Sequence, residues 1–294
     1  MGQSVLGTKF AGPTPNPSRK REGDRKAVMD TLTKSVRLIM LEAAERAILP
    51  RYQTLAAHEV TAKAADDVVT IADHESEEIL AAHLAKLLPE AAIVGEEAAH
   101  ADPSLLERLG DALCWIIDPV DGTNNFAAGR PPFGVLVALA EAGETIAGWI
   151  LDPLTGRFCH ARRGAGAFVN GERIQARTSG VQPPIAAISL VFADPDKREA
   201  LKTRIAPHYT LVDIPRCAAE QYPRLALGQN DISIFERTYA WDHAAGVLFL
   251  NEAGGKAARP DGSPYKVSEA DRPGLLGAAS PALWDELAER MAGI

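Results

Sequence analysis

The stretch Trp115-Ile116-Ile117-Asp118-Pro119-Val120-Asp121-Gly122-Thr123-Asn124-Asn125-Phe126 is the one around which the chain reads most clearly. The apolar run 113–117 has the length and β-branched content of a buried strand. It is expected to stop at Asp118-Pro119, because Pro carries no N–H for a ladder. Asp118 and Asp121 then set two carboxylates on one tight turn, with the Val120 carbonyl between them. Hard oxygen donors this close together suit Mg²⁺, which takes a small octahedral shell and completes it with water and substrate phosphate. Gly122-Thr123-Asn124 reads as a glycine-permitted turn opening a short helix, whose N–H groups and positive end suit a phosphate. Metal ligands and an anion cradle adjoin, which is the arrangement of a metal-dependent phosphate enzyme.

Two further acidic motifs bear on this reading. Gly95-Glu96-Glu97 follows the apolar run 91–94 and sets paired acids at a strand end. Trp241-Asp242-His243 opens a strongly apolar helical segment, where the carboxylate of Asp242 caps the helix and faces its positive end. An acid in a helix's first turn needs no catalytic role, and an Asp-x-x-Asp-Gly run is common in surface turns. Acids at the ends of separate buried elements, however, are able to converge. The three motifs, in this order, resemble the inositol monophosphatase family of Mg²⁺-dependent, lithium-sensitive phosphatases, over roughly residues 34–294.

The resemblance implies an α+β fold, a layered α-β-α-β-α sandwich of the inositol monophosphatase/fructose-1,6-bisphosphatase type, with the metal site between two halves. It implies Glu96, Asp118, Asp121 and Asp242 as carboxylate ligands, with the Val120 carbonyl beside them. Four negative charges in one cleft repel unless cations sit there, so two or three Mg²⁺ are expected, with Mn²⁺ able to substitute. Glu97 and Thr123 resemble the residues that activate the attacking water, a positioned general base and its hydroxyl partner. Gly122 and Thr123 would bind the phosphoryl oxygens. Glu236 is the match to the carboxylate that binds substrate hydroxyls, and Arg216 is a further substrate-binding candidate. The stretch 63–73 resembles the family's Lys…Asp-x-Val-Thr-x-x-Asp pattern, which makes Asp73 and Lys63 supports of the ligands or of a third, weaker metal; by position alone, Asp73 is a helix N-cap. Arg216-Cys217-Ala218-Ala219-Glu220 departs from the family's Gly-Ser/Thr-Ala-Ala, so the specificity elements differ while the phosphate machinery is intact.

The implied reaction is hydrolysis of a small phosphate monoester by a metal-activated water. Histidinol phosphate, fructose 1,6-bisphosphate and adenosine 3',5'-bisphosphate are the alternatives to inositol phosphate, and Arg216 and Arg224 are the basic residues that would serve a nucleotide. A regulatory or binding protein on the same fold would be expected to lose Glu97, Thr123 or a ligand, and all are present. The resemblance also implies a homodimer.

At 294 residues, with 46% hydrophobic and 24% charged residues, the composition is that of one large domain or two intimately packed halves. The net charge of −8 argues against nucleic acid as a partner. Cys114, Cys159 and Cys217 have no metal-binding spacing and read as reduced core residues. No run is long and apolar enough for a membrane span, and no signal-peptide core opens the chain, so the cytoplasm is the expected compartment.

Residues 1–26, rich in Gly, Pro, Ser and charge, read as a disordered leader. Residues 27–182 read as an N-terminal α+β half and 183–294 as a C-terminal α/β half, with Gln182-Pro183-Pro184 at the boundary. Within them, the periodicity predicts helices over 27–49 and from Asp73 to Pro89, and hairpins at Ala142-Gly143 and Asn170-Gly171, the latter closing a pair formed by 158–161 and 167–169. Alternating strands and helices are expected over 185–235, and a helix over 241–252 stopped by Gly254-Gly255.

Overall fold

The computed structural model describes residues 17–64, 67–269 and 272–294. Residues up to Ser35 and residues 36–294 are two compact units, and the layers and the cleft belong to the second. In chain order the elements are α1 (Pro17–Ala43), the ribbon β1 (Val60–Ala64) and β2 (Asp67–Thr70), α2 (Ile71–Leu87), β3 (Ala92–Gly95), α3 (Glu96–Ala101), β4 (Cys114–Asp121) and α4 (Thr123–Ala127). A meander follows: β5 (Gly134–Glu141), β6 (Glu144–Leu151), β7 (Phe158–Arg162), β8 (Gly166–Val169) and β9 (Glu172–Ile174). Then come β10 (Ile185–Ile188), α5 (Pro195–Ala200), β11 (Thr210–Leu211), α6 (Ala218–Ala226), β12 (Ile232–Phe235), α7 (Ala240–Glu252), β13 (Lys256–Ala258), β14 (Leu275–Ala278) and α8 (Pro281–Met291).

Strands β3 to β9 form a seven-stranded sheet in sequence order, parallel only between β3 and β4. The second sheet has the order β11-β10-β12-β14-β13; its first three strands run parallel, β14 is antiparallel to β12, and β13 is antiparallel to β14. Helices α6 and α7 lie between the sheets, α2 and the π-helical turn Ala44–Ile48 cover the outer face of the first, and α8 covers the second. The layers are therefore α-β-α-β-α. Every residue of β4 is buried because its sheet is covered on both faces, which is why the strand reads as a continuous apolar run rather than an alternation. Its Cys114 and Ile116 join the cluster under α7, while Trp115 faces the other way against Trp149, ring centroids 5.8 Å apart.

Several expectations change on sight of the fold. Helix α1 already includes residues 17–26, read from composition as a leader; Pro17 is a compatible start and Arg-Lys-Arg-Glu propagate it. Residues 1–16 lie outside the described residues. Strand β4 does not stop at Pro119 but runs to Asp121. Asp118 pairs with Leu136 and Asp121 with Gly134, so β4 carries one extra residue here. Pro119-Val120 sits in that bulge, where no ladder N–H is required. Asn170-Gly171, both at positive φ, links β8 to β9 rather than closing the β7–β8 pair; β9, three residues long, gave no pattern to read.

Candidate active site

The bulge aims the end of β4 into a cleft. Asp118 is 1% exposed and Asp121 8%, and both line the cleft together with Asp242, third residue of α7. Oxygens of these three carboxylates lie within 4.8 Å of one another. Glu96, first residue of α3, and Val120 line the same cleft. Gly122, at φ 84°, turns the chain from β4 into α4; a Cβ there would sit 2.9 Å from the Pro132 carbonyl oxygen, so only glycine fits. The N-cap of α7 is Tyr239, with no side-chain cap bond, so Asp242 stands in the first turn without being the cap.

Burial raises the proton affinity of all three aspartates, and the repulsion of neighbouring carboxylates adds to it at Asp118 and Asp242. Asp118 is pushed up first by desolvation, then by the charges of Glu96, Asp121 and Asp242. Asp242 is pushed up to about 8 by burial, against the opposing charge of Arg237. Asp121 is also raised by burial, tempered by the Ala219 N–H, which donates to its Oδ2 at 2.6 Å. Asp118 Oδ1 is buried and has no hydrogen-bond partner among the described residues. A buried carboxylate oxygen without a donor, within a ring of like charges, is costly unless a cation completes it. The donor set, all hard oxygens, fits Mg²⁺.

Beside the aspartates, Thr123 Oγ1 lies 3.1 Å from Asp73 Oδ1 and 2.9 Å from the Val120 carbonyl oxygen. Asp73 is thus a carboxylate that meets this hydroxyl. Asp73 is not a helix N-cap: Thr70 holds that position, and Asp73, three residues on, accepts from the Thr70 N–H and hydroxyl through Oδ2. Fully buried, Asp73 is pushed up to about 7, with Glu97 a smaller contributor to the rise. Glu97 is buried on α3. Its backbone N–H and that of Ala98 donate to the Glu77 carboxylate at 2.8 Å each. Gly95 makes room for this cap, since a Cβ there would fall 2.3 Å from the Glu77 carboxyl carbon. Lys63 lies on β1, and its side chain is outside the described residues.

The facing wall comes from segments after β10, β11 and β12, namely Val191, Phe192, Ile214, Arg216, Glu236 and Arg237. Glu236 is 7% exposed; its Oε2 is paired with Lys197 Nζ at 2.7 Å, and its Oε1 is buried with no hydrogen-bond partner among the described residues. Glu220 and Arg224, read as pocket elements, are absent from the lining. They pair with each other at 2.7 Å, and Glu220 also pairs with Arg157 at 2.5 Å, bracing α6 against the first sheet. His243 is neutral, pushed down to about 3 by burial. Its Nε2–H donates to the Arg237 carbonyl at 3.0 Å, so Nδ1 accepts from the Tyr222 hydroxyl at 2.7 Å. Glu77, Lys197 and Phe192 were not singled out from the sequence; only the spacing of Glu77 one turn after Asp73, on the same helix face, carried a signal.

Residues 29–292 match the model of the inositol monophosphatase family. An inositol-1-monophosphatase of Bacillus subtilis is 31% identical over 208 residues, covering 69% of this chain and 77% of that protein. The Nus factor SuhB of Vibrio cholerae is 33% identical over 200 residues, covering 67% and 73%. Among solved structures, the Thermotoga maritima IMPase superposes with a TM-score of 0.73 at 25% identity, covering 89% of this chain and 96% of that one. The chain belongs to the inositol monophosphatase family. It is a metal-dependent phosphomonoesterase with the layered fold of its relatives.

Proposed function

We propose that the cleft hydrolyses a small phosphate monoester with Mg²⁺ held by Glu96, Asp118, Asp121, Asp242 and the Val120 carbonyl. The observation that carries the choice of ligands is the unpartnered, buried Asp118 Oδ1 within a group of three carboxylates. Two or three ions are proposed, with Mn²⁺ an effective substitute; bound, they supply a water of lowered pKa and offset charge on the leaving oxygen. Gly122 and Thr123 line the cleft where the phosphoryl group would sit, and their backbone N–H groups orient its oxygens. Thr123 has a single hydroxyl proton. Donated to Asp73, it leaves the Oγ1 lone pairs to accept from the attacking water, so a proton passes from water to Thr123 and from Thr123 to Asp73. A carboxyl poised near 7 is suited to receive it. Glu97 is the second base, held in place by the Glu77 cap on its backbone. Glu236 and Arg216 contact the alcohol portion of the ester, and Asp73 with Lys63 supports the ligand set.

The same reading includes inhibition by Li⁺, a homodimer and a cytoplasmic location. Family membership supports the first two. For the third, no helix among the described residues is long and apolar enough to cross a membrane. Two halves, 27–182 and 183–294, are proposed because the strands of one sheet come from 92–174 and those of the other from 185–278.

The test is phosphate release from inositol 1-phosphate, histidinol phosphate, fructose 1,6-bisphosphate and adenosine 3',5'-bisphosphate, with Mg²⁺, with EDTA and with added Li⁺. Release that requires Mg²⁺ and falls with Li⁺ is the expected result. No release from any ester by protein shown to bind Mg²⁺ would overturn the reading.

A further inference from the structure

The wall opposite the aspartates carries an apolar patch beside its charged residues Arg216, Glu236 and Arg237. Val191 is 39% exposed and Phe192 48%, and both line the cleft with Ile214 and the buried Phe235. Single exposed hydrophobes are ordinary on a protein surface. Gathered on one concave wall next to a phosphate site, they instead present an unfilled apolar subsite. Phe192 is also held in position. The Arg237 guanidinium lies 4.3 Å from its ring centroid and 5.1 Å from that of Tyr239, and Tyr239 packs in turn on Trp241 at 4.9 Å. Arg237 thus fixes the plane of Phe192 from one side, while nearly half of the residue's surface remains open. At the polar end of the wall, the Glu236 carboxylate is neutralised by Lys197 and keeps one buried oxygen for a ligand donor.

We infer that the alcohol of the natural ester carries a flat aromatic or heteroaromatic ring that stacks on the open face of Phe192, with a donor of the same alcohol reaching Glu236 Oε1. The inference rests on the phosphatase reading of the adjoining aspartates and names the substrate class that reading leaves open. A flat π-face recovers the solvent-exposed area of Phe192, Val191 and Ile214, whereas a polyol leaves its hydroxyls against three side chains that carry no donor or acceptor. Lys197 is a positioning residue, since its ion pair directs Glu236 Oε1 and leaves the ring subsite untouched.

The experiment compares kcat/KM for histidinol phosphate and adenosine 3',5'-bisphosphate, which carry flat rings of different size, with inositol 1-phosphate and fructose 1,6-bisphosphate, which carry none. The ring-bearing esters are expected to lead. Phe192→Ala is expected to shrink that lead by roughly tenfold, in keeping with the strength of ring stacking, and Phe192→Tyr to restore it. The order within the ring-bearing pair tells one-ring from two-ring alcohols. A lead for the polyol esters, or a ratio unmoved by Phe192→Ala, overturns the inference while leaving the phosphatase reading standing. A parallel titration of the EDTA-treated protein with adenosine, followed by ligand-observed NMR, is independent of turnover. Saturable binding that weakens severalfold in Phe192→Ala supports the ring subsite even if no ester is hydrolysed, and its absence in the wild type overturns it.

Discussion

The acidic side of the cleft hangs on buried regular structure: Asp118 and Asp121 on the bulged end of β4, Asp242 in the first turn of α7, Asp73 in that of α2. The facing side, from Val191 to Arg237, hangs on the segments that leave the carboxyl ends of β10, β11 and β12, three strands running the same way. Sheets of this kind place ligands beyond their carboxyl ends. The difference separates two tasks. Charge must be positioned to tenths of an ångström against backbone that does not move, whereas the shape of an alcohol is read by loops that vary without disturbing the sheet.

The sharpest way to break this comparison is Asp118→Asn. It keeps the side-chain shape and removes the charge of the aspartate whose buried Oδ1 has no hydrogen-bond partner among the described residues. Turnover with Mg²⁺ should fall at least about a thousandfold, the scale on which a metal stabilises the charge of such a reaction. Near-wild-type Mg²⁺-dependent kcat/KM would remove Asp118 from the ligand set. Thr123→Val should cost about a hundredfold by removing the hydroxyl between water and Asp73, with Thr123→Ser retaining most activity. If Val and Ser behave alike, the hydroxyl carries no proton and Glu97 acts alone.

Much of the acidic side was legible in the sequence because it is local. Asp118 to Phe126 spells out strand, bulge and helix start in nine residues, and the apolar runs before Glu96 and after Asp242 mark buried elements. What was misread there is geometric. Pro119 looked like a strand end because a bulge that excuses a missing N–H leaves no trace in one chain's pattern. Asp73 looked like a cap because Thr70 and Asp73 are both good capping residues and only the fold tells which occupies which role. The loop wall was far less legible. The pairing of Lys197 with Glu236 spans 39 positions, so no spacing rule connects them. Val191 and Phe192 lie past the end of β10 at Ile188, outside any helix or strand.

The acidic side also makes a pH prediction that the loop wall does not share. Asp73 at about 7 and Asp242 at about 8 stand above the ordinary value of 3.8 because burial disfavours their charged forms. The folded protein therefore holds these protons more tightly than the unfolded chain. The stabilisation is fully present below pH 4 and is lost as pH rises through about 8. In EDTA the melting temperature should fall by about 5 °C or more between pH 5 and pH 9, and saturating Mg²⁺ should reverse most of that fall. A metal-free melting temperature that rises over this interval would mean that cations of the chain itself, Arg237 foremost, already neutralise the cluster.

The smallest expected effect lies where the two sides are joined, at α6. Its first turn lends the Ala219 N–H to Asp121 Oδ2, and that turn is held to the first sheet by Glu220, gripped by Arg157 and Arg224. Gly134 on β5 makes the approach possible, since a Cβ there would fall 2.6 Å from the Ala219 methyl. Glu220→Gln keeps the hydrogen-bonding shape and removes the charge, leaving two arginines short of a counter-ion in a half-buried position. The fold should lose about 1–2 kcal/mol, more than an exposed pair is worth and less than a fully buried one. Mg²⁺ affinity should fall about threefold as Asp121 loses part of its alignment, less than the loss of a group that touches a metal ligand directly. Calorimetric titration of the metal-free variant separates the two consequences. A lowered melting temperature with unchanged Mg²⁺ affinity would make Glu220 a brace of α6 alone. A parallel loss of both would show that the helix transmits its placement to the metal site through its first-turn contacts with Asp121, the Ala219 N–H foremost.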